Sequence, residues 1–369
     1  MLLYLLVFII SLLFYKLSTI TKYKGISKLF VLLGTLFLAI IGGLRDDTIG
    51  TDVLFYADKV FDDAVHSKSL IEYINNVAIR AEAGYAFLQY VVSIFSSNLN
   101  ASLFVTQCLT FVFFVLAIYE RKMEKHIVIV FIFFLLYFYN FSFNLIRQMM
   151  AINCCLYAFA CFVNRKFLKS TLILLLGFSF HKTVLLAVLL FGICYFFSKS
   201  KFNYKWIILL IGVILLSLFV QRLDAVIESL AVVDVLSGYQ YYTSDAKGTG
   251  SNYSELFIRF ILFVWLFSAR HYIPKVKFDF FIICLVIESV FFYLSFYSQY
   301  IYRMAFYLIA LDVFFIPETL DAIKNRSRRI LFTTSILLLL FCRWWWMYIY
   351  HDIHATVPYK SKILESILI

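Results

Sequence analysis

Charged residues are scarce in this chain of 369 residues, because Asp, Glu, Lys and Arg together make up only 15% of it. An average soluble domain contains roughly 25% of these four residue types. Hydrophobic residues make up 63% of the chain, and the mean hydropathy is +0.89. This shortage of charge excludes an ordinary soluble protein and indicates a membrane protein that crosses the bilayer several times.

The sequence also lacks the residue spacings that are typical of metal sites, and it contains no nucleotide-binding motif. Its seven cysteines lie inside apolar runs and are not spaced in the way that zinc sites require. His351, Asp352 and His354 are residues of metal-ligand type, but two or three of them in a single loop do not define a metal site. We therefore expect neither a metal nor another cofactor.

Basic residues outnumber acidic ones and give a formal net charge of +11. In a soluble protein this excess would suggest nucleic-acid binding. Here most basic residues lie in short connectors between apolar runs, for example 121–125 and 324–329. By the positive-inside rule these connectors face the cytoplasm, where they lie beside anionic lipid headgroups. We therefore expect membrane lipid, and no nucleic acid, as a partner.

Apolar runs long enough to cross a bilayer, roughly 17 to 20 residues, recur along the chain. They predict an all-α, polytopic membrane protein that forms a single domain, with about twelve transmembrane helices, in a range of about 10 to 14. The predicted spans are 2–16, 28–44, 100–119, 126–143, 147–163, 168–181, 183–198, 205–221, 255–270, 278–297, 301–318 and 329–348. Because 168–181 and 183–198 are short and nearly adjoin, the count is open by about one or two.

Two longer connectors are predicted to lie outside the cell membrane. The segment 45–99 begins with an acidic stretch and contains the apolar run 85–95, which is too short to cross and predicts a re-entrant or interfacial helix. The segment 222–254 is polar and rich in Gly and Tyr, as binding loops often are. The candidate site residues fall on this same external face.

Arginines near the outer ends of different predicted helices are the sharpest chemical feature. Arg45, Arg147 and Arg303 are energetically costly at membrane depth unless each has a partner or a water-filled cavity. Their guanidinium groups match phosphate oxygens, so three of them converging would bind a diphosphate. The alternative is that each reaches outer headgroups or pairs with Asp or Glu of a neighbouring helix.

Asp52, Glu82 and His181 are candidates for the base that accepts a proton from a sugar hydroxyl. For each of them a structural role, such as holding an arginine or ending a helix, stays open. Glu288, Asp312 and Arg343 fall inside predicted spans. We expect ion pairing between helices to stabilise them, with a proton or ion pathway as the alternative.

Six short motifs carry a resemblance to a known family. In chain order they are LRDDTIGTDVLFY, EAGYAFL, NLIRQMMA, FSFHKTVLL, YRMAFY and VPYK. Each motif is weak alone, but the ordered set resembles the EpsG/Wzy-type bacterial polysaccharide polymerases over nearly the whole chain.

The resemblance implies an enzyme of the bacterial cytoplasmic membrane whose active site faces outward. Such enzymes join polyprenyl-diphosphate-linked oligosaccharide repeats into O-antigen or capsule, without a metal or a nucleotide. Arg147 and Arg303, assisted by Arg45, would bind the departing diphosphate. The side chains that would orient sugar or phosphate are Gln148, Tyr56, Tyr85 and Tyr307.

Two other functions fit parts of the sequence. A lipid-linked oligosaccharide flippase or another transporter would also need many spans and intramembrane charges, although no two-fold repeat of spans is visible. An O-antigen ligase would share the arginines and external loops but use a different acceptor. A protein that regulates chain length is a further partner that a polymerase would allow.

Overall fold

The computed structural model describes residues 1–77, 80–201, 204–221, 251–297 and 301–368. All regular secondary structure in these ranges is helical. By its contacts the chain divides into two compact units. The first unit comprises Met1–Leu185 and Thr334–Ile369, and the second comprises Leu186–Thr333.

Eighteen α-helices occur in the described ranges. The first nine are α1 (Leu2–Ile20), α2 (Lys24–Gly43), α3 (Asp58–His66), α4 (Leu70–Val77), α5 (Ala83–Phe95), α6 (Leu99–Glu120), α7 (Ile127–Phe134), α8 (Asn140–Asn144) and α9 (Ile146–Val163). The others are α10 (Phe167–Phe180), α11 (Val184–Lys199), α12 (Lys205–Gln221), α13 (Ser251–Ala269), α14 (Lys275–Leu294), α15 (Ala305–Ile309), α16 (Asp312–Ala322), α17 (Arg326–Trp344) and α18 (Lys362–Leu368).

Among the described residues, six helical segments are long and apolar enough to cross a membrane. They are Leu2–Ile20, Lys24–Gly43, Leu99–Glu120, Glu124–Asn144, Ile146–Val163 and Arg326–Tyr350. Shorter apolar helices are Ala83–Phe95, Phe167–Phe180, Val184–Lys199 and Trp206–Leu216. The prediction of an all-helical protein with several membrane spans is confirmed, while the number twelve stays a prediction.

The predicted external segment 45–99 contains more structure than one short helix. The expected helix is α5, and α3 and α4 precede it. A short π-helical turn, Val53–Ala57, leads into α3. In α3 the residues Val60, Phe61 and Ala64 are buried, at the spacing of one helix face. In the other predicted loop, residues 251–254 form the start of α13, and residues 222–250 lie outside the described residues.

Two glycines allow the close approaches that assemble the first unit around its polar site. A Cβ on Gly84 would lie 2.1 Å from the Ser179 hydroxyl, so the start of α5 can pack against the end of α10 only without a side chain. Gly50 has a φ of +85°, and a Cβ there would lie 2.4 Å from the Phe143 carbonyl oxygen. The first contact brings the segment around Glu82 to the end of α10, and the second brings the segment around Asp52 to the end of α8.

Candidate functional site

Arg147 is held in the first turn of α9, directly after a break in the helical chain. Leu145, between α8 and α9, has φ −83° and ψ 53°, which ends α8 and starts a new helix direction. The Nη1 of Arg147 donates to Glu82 Oε2 at 2.5 Å and to the Arg80 carbonyl oxygen at 3.2 Å. The Arg147 side chain keeps 20% of its surface exposed, and its Nε has no hydrogen-bond partner. Arg147 is therefore positioned but still accessible.

Two tyrosines form the apolar wall of this arginine site. The Arg147 guanidinium carbon lies 4.3 Å from the centre of the Tyr56 ring and 6.0 Å from that of Tyr85. The two rings contact each other edge to face, with centroids 6.2 Å apart. Desolvation raises the pKa of the Tyr56 phenol, so this hydroxyl stays protonated and able to donate. Tyr56 and Tyr85 were predicted to share one site with Arg147, and the structure brings all three together.

Glu82 connects Arg147 to the turn that carries His181. Its Oε2 accepts from Arg147, and its Oε1 accepts from the backbone N–H of Lys182 at 3.4 Å. With both carboxylate oxygens accepting from these donors, the geometry favours the interpretation that Glu82 holds an arginine.

His181 ends α10 in an extended conformation and precedes α11. Its Nδ1 lies 2.7 Å from the Thr183 hydroxyl and accepts from the Thr183 backbone N–H at 3.3 Å. A backbone N–H can only donate, so the neutral imidazole carries its proton on Nε2. His181 and Glu82 thus meet at one turn, as the sequence analysis expected of site residues, while the identity of the base stays a prediction.

Asp52 directly precedes the π-helical turn Val53–Ala57, which carries Tyr56. Its backbone N–H donates to the side-chain oxygen of Asn144 at 2.9 Å. The Thr51 hydroxyl donates to the same oxygen at 2.6 Å. The Asp52 carboxylate is half-buried and close enough to Tyr56 to raise the pKa of that phenol further, although less than desolvation does. Asp52, Tyr56 and Arg147 therefore form one continuous cluster.

Arg45 is enclosed in the first unit. Only 1% of its surface is exposed. It donates to the carbonyl oxygens of Gly42 and Phe143, the second at 3.4 Å, and its guanidinium carbon lies 4.7 Å from the Phe143 ring centre. Within the described residues no carboxylate lies within ion-pair distance of it. Burial lowers the pKa of Arg45 to about 10, so the group stays charged at neutral pH. Arg45 holds main-chain segments beside the site.

The remaining predicted site residues lie on two different units. Gln148 is buried and follows Arg147 in α9 of the first unit. Arg303 is half-buried in the 3-10 turn Ile301–Met304, and Tyr307 is buried in α15, both in the second unit. Convergence of all three arginines on one ligand stays a prediction.

The second unit contains a buried ionic cluster centred on Arg259. Its Nη1 lies 2.9 Å from Glu288 Oε2 and 3.8 Å from Asp312 Oδ2, and its Nη2 lies 3.2 Å from Glu255 Oε2. Each of the four side chains is at most 3% exposed. The prediction of ion pairing between helices is confirmed for Glu288, whereas Asp312 lies farther from Arg259 and neither of its oxygens has a hydrogen-bond partner. Arg259 was not among the predicted residues, although the i, i+4 spacing of Glu255 and Arg259 in an apolar run was a usable signal.

Arg343, the third charge predicted inside a span, belongs to the first unit. Its guanidinium carbon lies 3.5 Å from the Tyr137 ring centre. Its Nη1 donates to the Tyr137 carbonyl oxygen at 3.5 Å. This side chain therefore packs on an aromatic ring in the core.

The fold and the site together define a helical membrane protein that crosses the bilayer several times and carries an arginine-centred polar site at the start of one long helix. The model of the EpsG family matches residues 28–361, a range that includes every candidate site residue. The chain belongs to the EpsG family, a family of Wzy-type polysaccharide polymerases. No curated protein and no solved structure matches the chain significantly.

Proposed function

We propose that this protein polymerises polyprenyl-diphosphate-linked oligosaccharide repeats into a surface polysaccharide, O-antigen or capsule, on the outer face of the bacterial cytoplasmic membrane. Membership in the EpsG family supports a polysaccharide polymerase in general. The particular lipid-linked substrate, the outward-facing site and the independence from metals and nucleotides are the proposed parts. A protein that regulates chain length is a proposed partner.

The single observation that carries the proposal is the state of Arg147. A guanidinium that is fixed by Glu82, backed by two tyrosine rings and still one-fifth exposed is preorganised to bind an anion. Its planar guanidinium and its exposed fraction suit the oxygens of a phosphate group. In glycosyl transfer, such a group stabilises the negative charge that develops on the leaving diphosphate.

Residues of the first unit would bind the leaving group and accept the proton of the attacking hydroxyl. The bond between the anomeric carbon of the growing chain and its diphosphate breaks, and the diphosphate leaves as an anion beside Arg147. A hydroxyl of the acceptor repeat forms the new bond to that carbon. Asp52 accepts the hydroxyl proton, because its half-buried carboxylate is close enough to influence Tyr56, whose ring contacts Arg147, and so lies in the same cluster as the proposed leaving group.

The proposal is tested by replacing Arg147 with Ala in a strain that lacks the native gene. We expect surface glycan with one repeat unit only, from a variant present at the normal level. The matched control is Arg326→Ala, because Arg326 is exposed in a connector predicted to face the cytoplasm. Polysaccharide of normal length from Arg147→Ala would reject the assignment.

Electrophoresis of surface glycans from the deletion strain separates the alternatives. Loss of a polymerase leaves one repeat unit attached to its carrier, whereas loss of a flippase leaves none. Loss of a ligase leaves polymer that stays on the polyprenyl lipid and does not reach its final acceptor. Either of the last two patterns would replace the proposed reaction with the corresponding one.

A further inference from the structure

A chain of polar contacts joins the C-terminal turn of the first unit to the segment that carries Asp52. The Asn144 side-chain oxygen accepts from the Thr51 hydroxyl at 2.6 Å and from the Asp52 N–H at 2.9 Å. The Asn144 side-chain nitrogen lies 2.9 Å from Nδ1 of His354. One carboxamide therefore bridges Asp52 and His354, which are distant in sequence.

The backbone N–H of Asp52 determines the orientation of this whole bridge. A backbone N–H can only donate, so the atom of Asn144 that faces Asp52 must be the oxygen. The NH2 group of Asn144 must then face His354. It can form a hydrogen bond there only if Nδ1 of His354 carries no proton and accepts.

The turn that carries His354 is held in an uncommon conformation. Asp352, His354 and Ala355 have φ values of 45°, 70° and 51°, in the left-handed region that costs a residue with a side chain roughly 1 kcal/mol or more. Buried contacts at Thr356 fix this turn: the Asn140 side chain donates to its hydroxyl at 3.0 Å, and the Tyr4 hydroxyl donates to its carbonyl at 2.6 Å. The imidazole is thus kept against Asn144.

We propose that His354 is a positioning residue for Asp52, acting through Asn144, and that its neutral form is the active one. This inference rests on the proposed role of Asp52. If the imidazole gains a proton, both of its nitrogens donate, and Nδ1–H meets the NH2 group of Asn144. Asn144 must then rotate, which turns its NH2 group toward the Asp52 N–H and breaks that bond, while the Thr51 hydroxyl must change from donor to acceptor.

The charged and titratable groups around this bridge belong to three elements. Asp52 lies on the segment that Asn144 holds. Asp352 lies in the turn itself, where its Oδ1 accepts from the Val357 N–H at 3.3 Å. Tyr348 contacts the Phe141 ring, which in turn packs edge to face on His354, with centroids 5.1 Å apart. Substitution at His354 itself separates its titration from that of these groups.

The first test compares two substitutions that suit a positive φ. His354→Asn keeps an acceptor oxygen near the position of Nδ1 and cannot titrate, and Asn tolerates the left-handed region. His354→Gly accepts the backbone conformation but removes the acceptor. Transfer rates are measured between about pH 7.5 and about pH 5.5, on either side of an ordinary imidazole titration, with purified protein in vesicles and lipid-linked repeats extracted from the deletion strain.

We expect the wild-type rate to fall about tenfold on acidification, the scale of one or two lost hydrogen bonds. His354→Asn should keep the wild-type rate at neutral pH and should not slow on acidification, whereas His354→Gly should be slow at both pH values. His351→Gln is the control, because His351 is exposed in the same turn. A transfer rate that still falls on acidification in His354→Asn, or a wild-type rate in His354→Gly, overturns the inference.

A second measurement does not depend on the proposed reaction. Hydrogen exchange of a peptide covering residues 48–56, corrected for intrinsic rates, should quicken on acidification in the wild type and stay constant in His354→Asn. If exchange behaves in this way but no transfer is found, the bridge is confirmed and the proposed function fails. If exchange is the same in wild type, His354→Asn and His354→Gly, the bridge is rejected whatever the protein catalyses.

Discussion

Arg147 in the first unit and Arg259 in the second are both held by carboxylates, but they differ in exposure and in the number of partners. Arg147 has one carboxylate partner, Glu82, and keeps one-fifth of its side chain exposed. Arg259 has three carboxylates within 4 Å and is 1% exposed. A guanidinium with one carboxylate partner and some exposure can bind a ligand. A buried guanidinium that is surrounded by several carboxylates instead holds helices together.

The largest effect is expected at Arg259. Its replacement by Ala leaves buried carboxylates without a counter-charge, a loss that costs about 3 to 5 kcal/mol for one broken pair. We therefore expect little folded Arg259→Ala protein, measured by fluorescence-detected size exclusion after mild detergent extraction. Arg326→Ala is the exposed control. Normal yield and melting temperature for Arg259→Ala would show that the cluster does not stabilise the second unit.

Arg147 should show the opposite pattern, a loss of activity with normal yield. Arg147→Lys keeps a positive charge but loses the planar pair of donors that matches phosphate. We expect its transfer rate to fall about 100-fold, the scale of removing one preorganised donor from a developing anion, with a melting temperature close to wild type. If Arg147→Lys instead loses yield as Arg259→Ala does, the contrast between the two arginines is wrong.

A smaller effect is expected when the partner of Arg147 is changed. Glu82→Gln keeps an oxygen that can accept from Lys182 N–H but loses the charge that fixes the guanidinium. Because the neutral amide oxygen of this variant can still accept from Arg147 or from the Lys182 N–H, we expect near-normal yield and a transfer rate lowered about tenfold, the scale of one weakened hydrogen bond. Glu72→Gln, an exposed acid in the same segment, is the control. A rate equal to wild type would remove Glu82 from the site.

Much of the helical layout follows from local signals, as the break between α10 and α11 illustrates. The run of apolar residues ends at Phe180 and resumes at Val184, and the structure starts and ends its helices there. In contrast, α3 and α4 were not predicted, because α3 contains three aspartates and α4 is only eight residues long. A helix of this kind is stabilised by what it packs on, which the local pattern does not contain.

The candidate site shows the same limit more strongly. The motifs placed Arg147, Glu82 and Tyr56 in one neighbourhood, and the structure confirms that they meet. The contact of Asn144 with His354 joins residues 210 positions apart, and that of Arg259 with Glu288 depends on the register of two helices. Such pairs are set by tertiary packing, so a residue type alone could mark them only as possible partners.

The smallest effect is expected at Asp312, and it sharpens the comparison of the two clusters. Glu255, Glu288 and Asp312 lie around Arg259 in a fully buried region, where an ionised carboxylate is costly unless it has a close, hydrogen-bonded positive partner. Asp312 is the member farthest from Arg259, and neither of its oxygens has a hydrogen-bond partner. We therefore expect Asp312 to carry a proton.

Replacing Asp312 by Asn then exchanges one neutral group for another of the same size. We expect a change in unfolding free energy within about 1 kcal/mol, followed as the shift in melting temperature. Glu288→Gln is the matched comparison, because its Oε2 accepts a charge-assisted bond from Arg259 at 2.9 Å, and it should destabilise more. A carbonyl stretching band of a protonated carboxylic acid in the infrared spectrum should disappear in Asp312→Asn. Its persistence would assign the proton to another member of the cluster, and strong destabilisation would show that Asp312 is ionised and paired.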